Sequence, residues 1–522
     1  MKRNILLKFA AVMTAMALTC TGSWAATSGG LSPARRVAAQ QATVTETVPA
    51  AVASSATSSL PSSYDLRNVS GQSFVTSVKT QNFGDCWSFA ASSAIESNLL
   101  KKGYGTYDLS EIQMSYFAYD DPIVSLPGLK GDKTQLLVDE DYSQFGGDYF
   151  TAGMSLIRGY GPTSESDAPY PDEDSLDQTL PDSLAFSRNA AQVQNIDWVK
   201  MNNISAVKAK LMSSGAGDMG YYIYDDYRTN SNGDDSAYWN LDNNCYYINK
   251  SGYNKADADG TNFVLDGHEV CLVGWDDNFS RDNFGGTAGA KPPADGAWLC
   301  KNSWGTGMDE CEDGYFWISY YDYYLYNVAD SLDYVAFYDA VPISSAYDRI
   351  FQYDGTASDA KVRSFTSTAK TASVFTSDAS RTLKAVGFTT YNNNLSYSVQ
   401  IYKNPTNSSN PTSGTPMLSA PLKGSLQYQG FHTITIPSEL ATAGDGTAAI
   451  SLNKGDKFSV VVTLTSNTGY RVSIPLDSSR TYQDIQYISH SVSGQSYYNL
   501  GRGWRDCSKS GHSNTRVKAY AE

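Results

Sequence analysis

Between Cys86 and Leu100 the apolar residues Trp87, Ala90, Ala91, Ala94 and Ile95 recur at helical spacing, which predicts a helix with one buried face. Asp85 stands where an N-cap belongs, Lys101 and Lys102 suit the negative C-terminal end, and Gly103 ends the element. A further helix is expected over Ala152–Arg158, inside a mixed stretch running from Leu109 to Tyr170. The apolar runs His268–Trp275 and Ala297–Asn302 read as strands, divided by a loop, Asp276–Gly296, rich in Asp, Asn, Gly and Pro. Residues 217–265, dense in Tyr, Asn, Asp and Gly, read as long surface loops.

The pattern changes near Ile343. From there to Glu522 short β-type runs recur at Ala385–Tyr391, Tyr397–Tyr402, His432–Ile436, Lys457–Thr465, Tyr470–Ile474 and Thr515–Ala519, with turn-rich segments between them. Such spacing predicts a β-sandwich over 343–522, following an α+β domain over 60–342. No repeat of solenoid type is present.

The N-terminus has the form of a signal peptide. Lys2, Arg3 and Lys8 supply the charged region, Phe9–Leu18 the apolar one, and Ser23-Trp24-Ala25 the small residues before cleavage. A membrane anchor fits less well, because the apolar run is short and polar sequence follows it. Lipoprotein processing at Cys20 is disfavoured by the preceding Ala17-Leu18-Thr19. Residues 26–59 are almost all Ala, Ser, Thr, Val and Gly, a composition that builds no core and reads as a linker or short pro-segment. No later stretch is long and apolar enough to span a bilayer.

At 522 residues the chain exceeds one ordinary domain, and its hydrophobic fraction of 41% suffices for more than one core. A formal net charge of −15 argues against nucleic acid as a partner, because phosphates need cations. After signal removal Cys86, Cys245, Cys271, Cys300, Cys311 and Cys507 remain, too few and too scattered for a disulfide framework. Cys271 and Cys300 are expected on neighbouring strands as small buried hydrophobes, without a bridge.

The candidate chemistry starts from Cys86. A thiol in the first turn of a helix feels the positive end of the helix dipole, which favours the thiolate. The chain has only four histidines, His268, His432, His490 and His512, so a base for Cys86 inside the first domain has one candidate, His268. Asn302 follows, in Asn302-Ser303-Trp304-Gly305. A thiolate, an imidazole and an orienting amide are the parts of a cysteine peptidase.

Several motifs in fixed order now carry a resemblance. Leu60-Pro61-Ser62-Ser63-Tyr64-Asp65-Leu66-Arg67, Gln81…Cys86-Trp87-Ser88-Phe89-Ala90, Leu109-Ser110-Glu111, Gly146-Gly147, Gly161-Pro162…Glu165…Pro169-Tyr170, His268-Glu269-Val270 and Lys301-Asn302-Ser303-Trp304-Gly305 together resemble the papain-like cysteine peptidases over residues 60–340. The resemblance implies a two-lobed fold, with a helical lobe carrying Cys86 and a β lobe carrying His268. It implies Cys86 as nucleophile, His268 as acid/base and Asn302 as the group that orients His268. Trp304 would cover the His268–Asn302 hydrogen bond. Gln81 and the Cys86 N–H would form the oxyanion hole, and Gly146 and Gly147 would admit a substrate backbone as an added strand.

Three departures accompany it. Gln81 lies five residues before Cys86, one fewer than the family's usual six. Glu269 replaces a usually small residue, either beside the cleft, where it would influence peptide selection, or as a solvated side chain. Only residues 26–59 stand where the family has a helical pro-domain. Asp309, Glu310, Glu312 and Asp313 form an acidic cluster that a calcium ion could use, with a plain solvated loop as the simpler account.

The C-terminal region resembles the lectin-like domain that follows the catalytic domain in some bacterial surface-associated papain-like peptidases. Tyr347-Asp348-Arg349-Ile350-Phe351-Gln352-Tyr353-Asp354-Gly355, Ala385–Tyr391 and the ending Ser496-Tyr497-Tyr498…Asn514–Tyr520 carry that likeness. Together the resemblances imply a secreted or surface-associated bacterial endopeptidase without cofactor or metal. Its partners would be protein or peptide substrates and, through the β domain, a cell-surface glycan. The alternatives are a carbohydrate-binding adhesin with an inactive peptidase domain and a Cys–His cell-wall amidase.

Overall fold

A computed structural model describes residues 60–122, 126, 128–137, 142–171, 179–186, 189–224, 238–251, 265–286, 289–308, 311, 313–323, 325, 334–440, 450–482, 484–511 and 513–522. Residues 1–59, with the expected signal peptide and the 26–59 segment, and, in the acidic cluster, Asp309, Glu310 and Glu312 lie outside these residues.

The Cys86–Lys101 helix forms where the sequence predicts it, but Ser88, Ser92, Glu96, Ser97 and Asn98 are buried along with its apolar residues. It is sheathed on several sides, by the Glu111–Tyr119 and Tyr149–Leu156 helices and by the strands Gly217–Tyr224, Leu265–Asp276 and Tyr334–Pro342. Two of its buried polar side chains find partners on the surrounding segments: Glu96 accepts from Leu109 N at 2.8 Å, and Asn98 donates to Ser214 O at 2.8 Å. The expected Ala152–Arg158 helix is Tyr149–Leu156, capped by Asp148 through Thr151 N at 2.8 Å.

The surface-loop reading of 217–265 is corrected in part. Gly217–Tyr224 is a strand between Tyr334–Pro342 and Leu265–Asp276, with Met219 and Tyr221 in the core. Its composition hides this: tyrosine rings fill the core, and Gly217 is small because a Cβ there would meet Val335 at 2.4 Å. The Tyr470–Ile474 run is likewise displaced. The strand is Ser473–Asp477, and Tyr470 is exposed.

Beyond Pro342 the described residues form strands, turns and two short 3₁₀ helices, and two of the sheets there make a sandwich. One contains Thr368–Thr376, Leu395–Lys403 and Lys457–Ser466; the other contains Arg349–Phe351, Arg381–Thr390, Gln429–Thr435 and Val517–Ala521. Leu383, Phe388, Ile401, Phe458, Val460 and Val517 fill the space between them.

The second of those sheets does not end at the sandwich. Gln429–Thr435 pairs antiparallel with Ala191–Lys200, which continues through Tyr334–Pro342, Gly217–Tyr224, Leu265–Asp276, Ala297–Lys301 and Tyr315–Ser319. The C-terminal strands are thus apolar on both faces. Phe388 and Val517 point into the sandwich, whereas Ala385, Phe431 and Tyr520 join the core beneath the first domain. Lys133–Leu136 also pairs with Ile485–Ile488, and the buried Arg158 guanidinium binds Asp121 at 2.8 Å and Gly355 O at 3.0 Å. Among the described residues no helix is long and apolar enough to cross a membrane.

The junction strand crosses closely at Gly430, whose φ is +144° and whose Cβ, if present, would lie 1.8 Å from Ile196 O. Gly430→Ala is expected to lower stability by about 1–3 kcal/mol through overpacking. Urea unfolding followed by tryptophan fluorescence should show the midpoint fall, and an unchanged midpoint would contradict this close crossing.

Candidate active site

Cys86 opens its helix and is buried. Asp85 occupies the N-cap position but does not cap. Its carboxylate accepts instead from the Tyr170 hydroxyl at 2.7 Å and the Ser115 hydroxyl at 3.3 Å. The positive end of the helix dipole therefore meets the thiol without a side-chain cap between them.

The Leu265–Asp276 strand brings His268 to this point, and the N–H of the next residue, Glu269, donates to Cys86 Sγ at 3.5 Å. His268 Nε2 lies 2.8 Å from Asn302 Oδ1, leaving Nδ1 as the other ring nitrogen. Trp304 stacks on the imidazole at 4.8 Å between centroids, and Tyr221, opposite His268 on the neighbouring strand, meets it edge-on at 5.8 Å. Burial pushes the His268 pKa down to about 4, against the Asn302 hydrogen bond, which raises it.

Asn302 leaves the end of the Ala297–Lys301 strand with its amide fixed at both ends. Its Nδ2 donates to Cys311 Sγ at 3.2 Å, and its Oδ1 also accepts from Ser303 N at 2.9 Å. Gln81 is buried beside it: the Gln81 N–H donates to Ser303 O at 2.7 Å, and Gln81 Oε1 accepts from the Ser303 hydroxyl at 2.5 Å. The shortened Gln81–Cys86 loop folds so that Gln81 Nε2 donates to Phe83 O at 2.8 Å. One of the two amide hydrogens is thus held within the loop.

Gly146 adopts a φ of +74°, and its carbonyl accepts from the Tyr119 hydroxyl at 2.7 Å. Gly147 lies against Trp87 so closely that a Cβ would come within 2.5 Å of the indole. Packing alone therefore requires glycine at 147. Glu269 is buried, which corrects the solvated reading. Its Oε1 accepts from Tyr149 N at 3.1 Å.

The structure brings Cys86, Gln81, His268, Asn302 and Trp304 to one place through these contacts. Cys311, which orients Asn302, carries no sequence signal beyond proximity in the chain, and Ser303 stands inside the quoted motif without any sign there of its contact with Gln81. None of the six described cysteines is in a disulfide, and Cys271 and Cys300 sit on paired strands. Among the described residues no group of three or more His, Cys, Asp or Glu is placed to hold a metal.

Two family models match the chain: papain family cysteine protease over residues 60–116 and lectin like domain over residues 350–521. The chain is also similar to two solved structures of Cwp84. The Clostridial cysteine protease Cwp84 after propeptide cleavage is 26% identical with a TM-score of 0.65, over 86% of this chain and 97% of that one. The cysteine protease and lectin-like domains of Cwp84, a surface layer associated protein of Clostridium difficile, are 25% identical with a TM-score of 0.66, over 88% and 89%.

Burial of His268 carries a pH consequence. In Cys86→Ala, where no thiolate can form, the ring is expected to titrate near 4 by NMR. Its folded pKa then lies below its unfolded one, so this stability contribution is present above pH about 6.5 and declines toward pH 4. An imidazole titrating at 6.5 in that variant would contradict the buried placement.

Proposed function

Because this chain is a cysteine protease of the papain family with a lectin-like domain, we propose that it hydrolyses peptide bonds through a Cys86 thiolate. In this reading His268 acts as acid and base and Asn302 as its orienter. The observation that carries the assignment is the His268 Nε2–Asn302 Oδ1 hydrogen bond of 2.8 Å under the Trp304 indole, on the strand whose next N–H reaches Cys86 Sγ.

In the proposed cycle the thiolate attacks the scissile carbonyl carbon, and negative charge passes to its oxygen. The Cys86 N–H and the remaining Gln81 amide hydrogen stabilise that oxygen. His268 then gives its proton to the leaving amine, and an acyl-enzyme thioester remains. Water, deprotonated by His268, hydrolyses the thioester and restores the pair. Burial by itself drives His268 toward the neutral form, so the thiolate beside it is the charge that holds the imidazolium at neutral pH. Asn302 keeps the ring in plane, because its own amide cannot turn without breaking the contacts to Cys311 and Ser303.

Gly146 and Gly147 form the proposed wall along which the substrate backbone runs, with Tyr119 and Trp87 fixing its position. Export through the N-terminal signal and a place at the cell surface complete the reading. Support comes from the signal-like composition of residues 1–25 and from the likeness to a surface layer associated protein. A surface glycan is the proposed partner of the lectin-like domain.

An epoxide inhibitor of papain-like enzymes is expected to label the processed protein at Cys86, with labelling and peptide hydrolysis both lost in Cys86→Ala. Unlabelled, folded, processed protein would instead support a non-catalytic surface role. Gln81→Ala is expected to lower kcat by about 10²–10³-fold, as for loss of one oxyanion donor. A rise in KM with kcat unchanged would remove Gln81 from that role.

A further inference from the structure

Directly behind the proposed site lie two carboxyl groups that the catalytic cycle does not use. Gly220 pairs with Glu269 and Asp218 with Cys271 across neighbouring antiparallel strands. Asp218 and Glu269 are therefore diagonal neighbours on one face of the sheet, opposite to the face bearing His268. Both are fully buried.

Each carboxyl has one contact elsewhere. Glu269 Oε1 accepts from Tyr149 N at 3.1 Å, and Asp218 Oδ2 accepts from the Tyr338 hydroxyl at 2.8 Å. The remaining oxygens, Glu269 Oε2 and Asp218 Oδ1, are buried and have no hydrogen-bond partner. Ionised carboxylates only accept, so a proton placed on one of these two neighbouring carboxyls would give both unpartnered oxygens a hydrogen bond.

We propose that Glu269 and Asp218 hold one proton between them, and that this shared proton fastens the strand bearing His268 to the helical lobe beside Cys86. Glu269 is the centre of the clamp. Its N–H meets Cys86 Sγ, and its side chain holds the first N–H of the helix that follows Gly146-Gly147-Asp148. It is thus a positioning residue for the site, and the proposal rests on the assignment of Cys86 and His268 made above.

The surroundings favour the protonated pair. The packed elements direct Tyr338 and Asp148 toward it, and Asp148 is a third buried carboxyl whose Oδ2 has no donor. Cys86 lies at the Glu269 N–H, and Cys271, next on the same face, feels Asp218, Lys301 and Glu96. Burial first, then the neighbouring carboxyls, raise Glu269 well above the usual range, and burial raises Asp218 to about 6. Loss of the proton to solvent leaves two negative charges facing each other in an apolar interior, and the clamp opens.

The test separates the clamp from catalysis. In Glu269→Gln the amide keeps both contacts: Oε1 accepts from Tyr149 and Nε2 donates to an ionised Asp218. Asp218→Asn does the same from the other side. The native parent pair binds a proton that its unfolded state releases above the ordinary carboxyl pKa, so parent stability falls with rising pH until the pair titrates. In full-length protein carrying Cys86→Ala, urea unfolding from pH 5 to 8 should show either variant gaining on the parent about tenfold in folding constant per pH unit over that window. Parallel stability profiles in a variant that folds would overturn the shared proton, and if one variant fails to fold the other decides.

With Cys86 intact, kcat/KM of the variants should hold to higher pH than that of the parent. Superimposable alkaline limbs would overturn the positioning role. Failure of epoxide labelling with the one-proton difference intact would strike the proposed function and leave the shared proton standing.

Discussion

The site depends on one packing constraint: the edge of a long strand pressed against the N-terminus of a buried helix. The Leu265–Asp276 strand crosses the start of the Cys86–Lys101 helix so closely that a backbone N–H of the strand reaches the thiol. Because side chains alternate along a strand, this single crossing puts His268 on the site's face and Glu269 on the opposite one. Asn302 and Trp304 reach His268 only because the Ala297–Lys301 strand pairs beside it. A one-residue slip in that register would exchange the imidazole for a carboxyl.

Burial sets the electrostatics of everything near that crossing. His268 is pushed toward neutrality, and Asp148, Asp218 and Glu269 are pushed toward their protonated forms. In each case desolvation is the largest cause, so the interior disfavours charge of either sign unless a partner supplies the opposite one. For His268 that partner is the proposed thiolate. The carboxyls have hydrogen bonds and protons instead of a cation.

The lectin-like region shares a sheet with the protease. Gly430 lets two backbones close on each other where a larger residue would hold them apart, and from there the ladder runs without a break from the sandwich to the strand bearing His268. The buried Arg158 repeats the connection on the helical side, drawing together Asp121, Phe117 O and Gly355 O. Removing the sandwich strands would uncover the part of that core to which Ala385, Phe431 and Tyr520 belong. That is a physical reason for the two regions to act as one body.

Much was legible in the sequence because the signals are local. Cys86 at a helix start, His268 on an apolar strand and Asn302 before an indole need only spacing and periodicity to be noticed, and histidine scarcity does the rest. The Gly217–Tyr224 strand escaped because its glycines and tyrosines carry the composition of a loop, and only their neighbours make them core. Asp85 as a non-capping N-cap, Cys311 and Ser303 as holders of the Asn302 and Gln81 amides, and glycine at 147 under Trp87 all depend on which side chains meet across distant segments. The sequence by itself determined the chemical inventory and the helix and strands that carry it. Only the tertiary structure decided where Glu269 points, what the Gln81 amide spends its hydrogens on and that one sheet unites both regions, because burial and long-range pairing are properties of the packed chain.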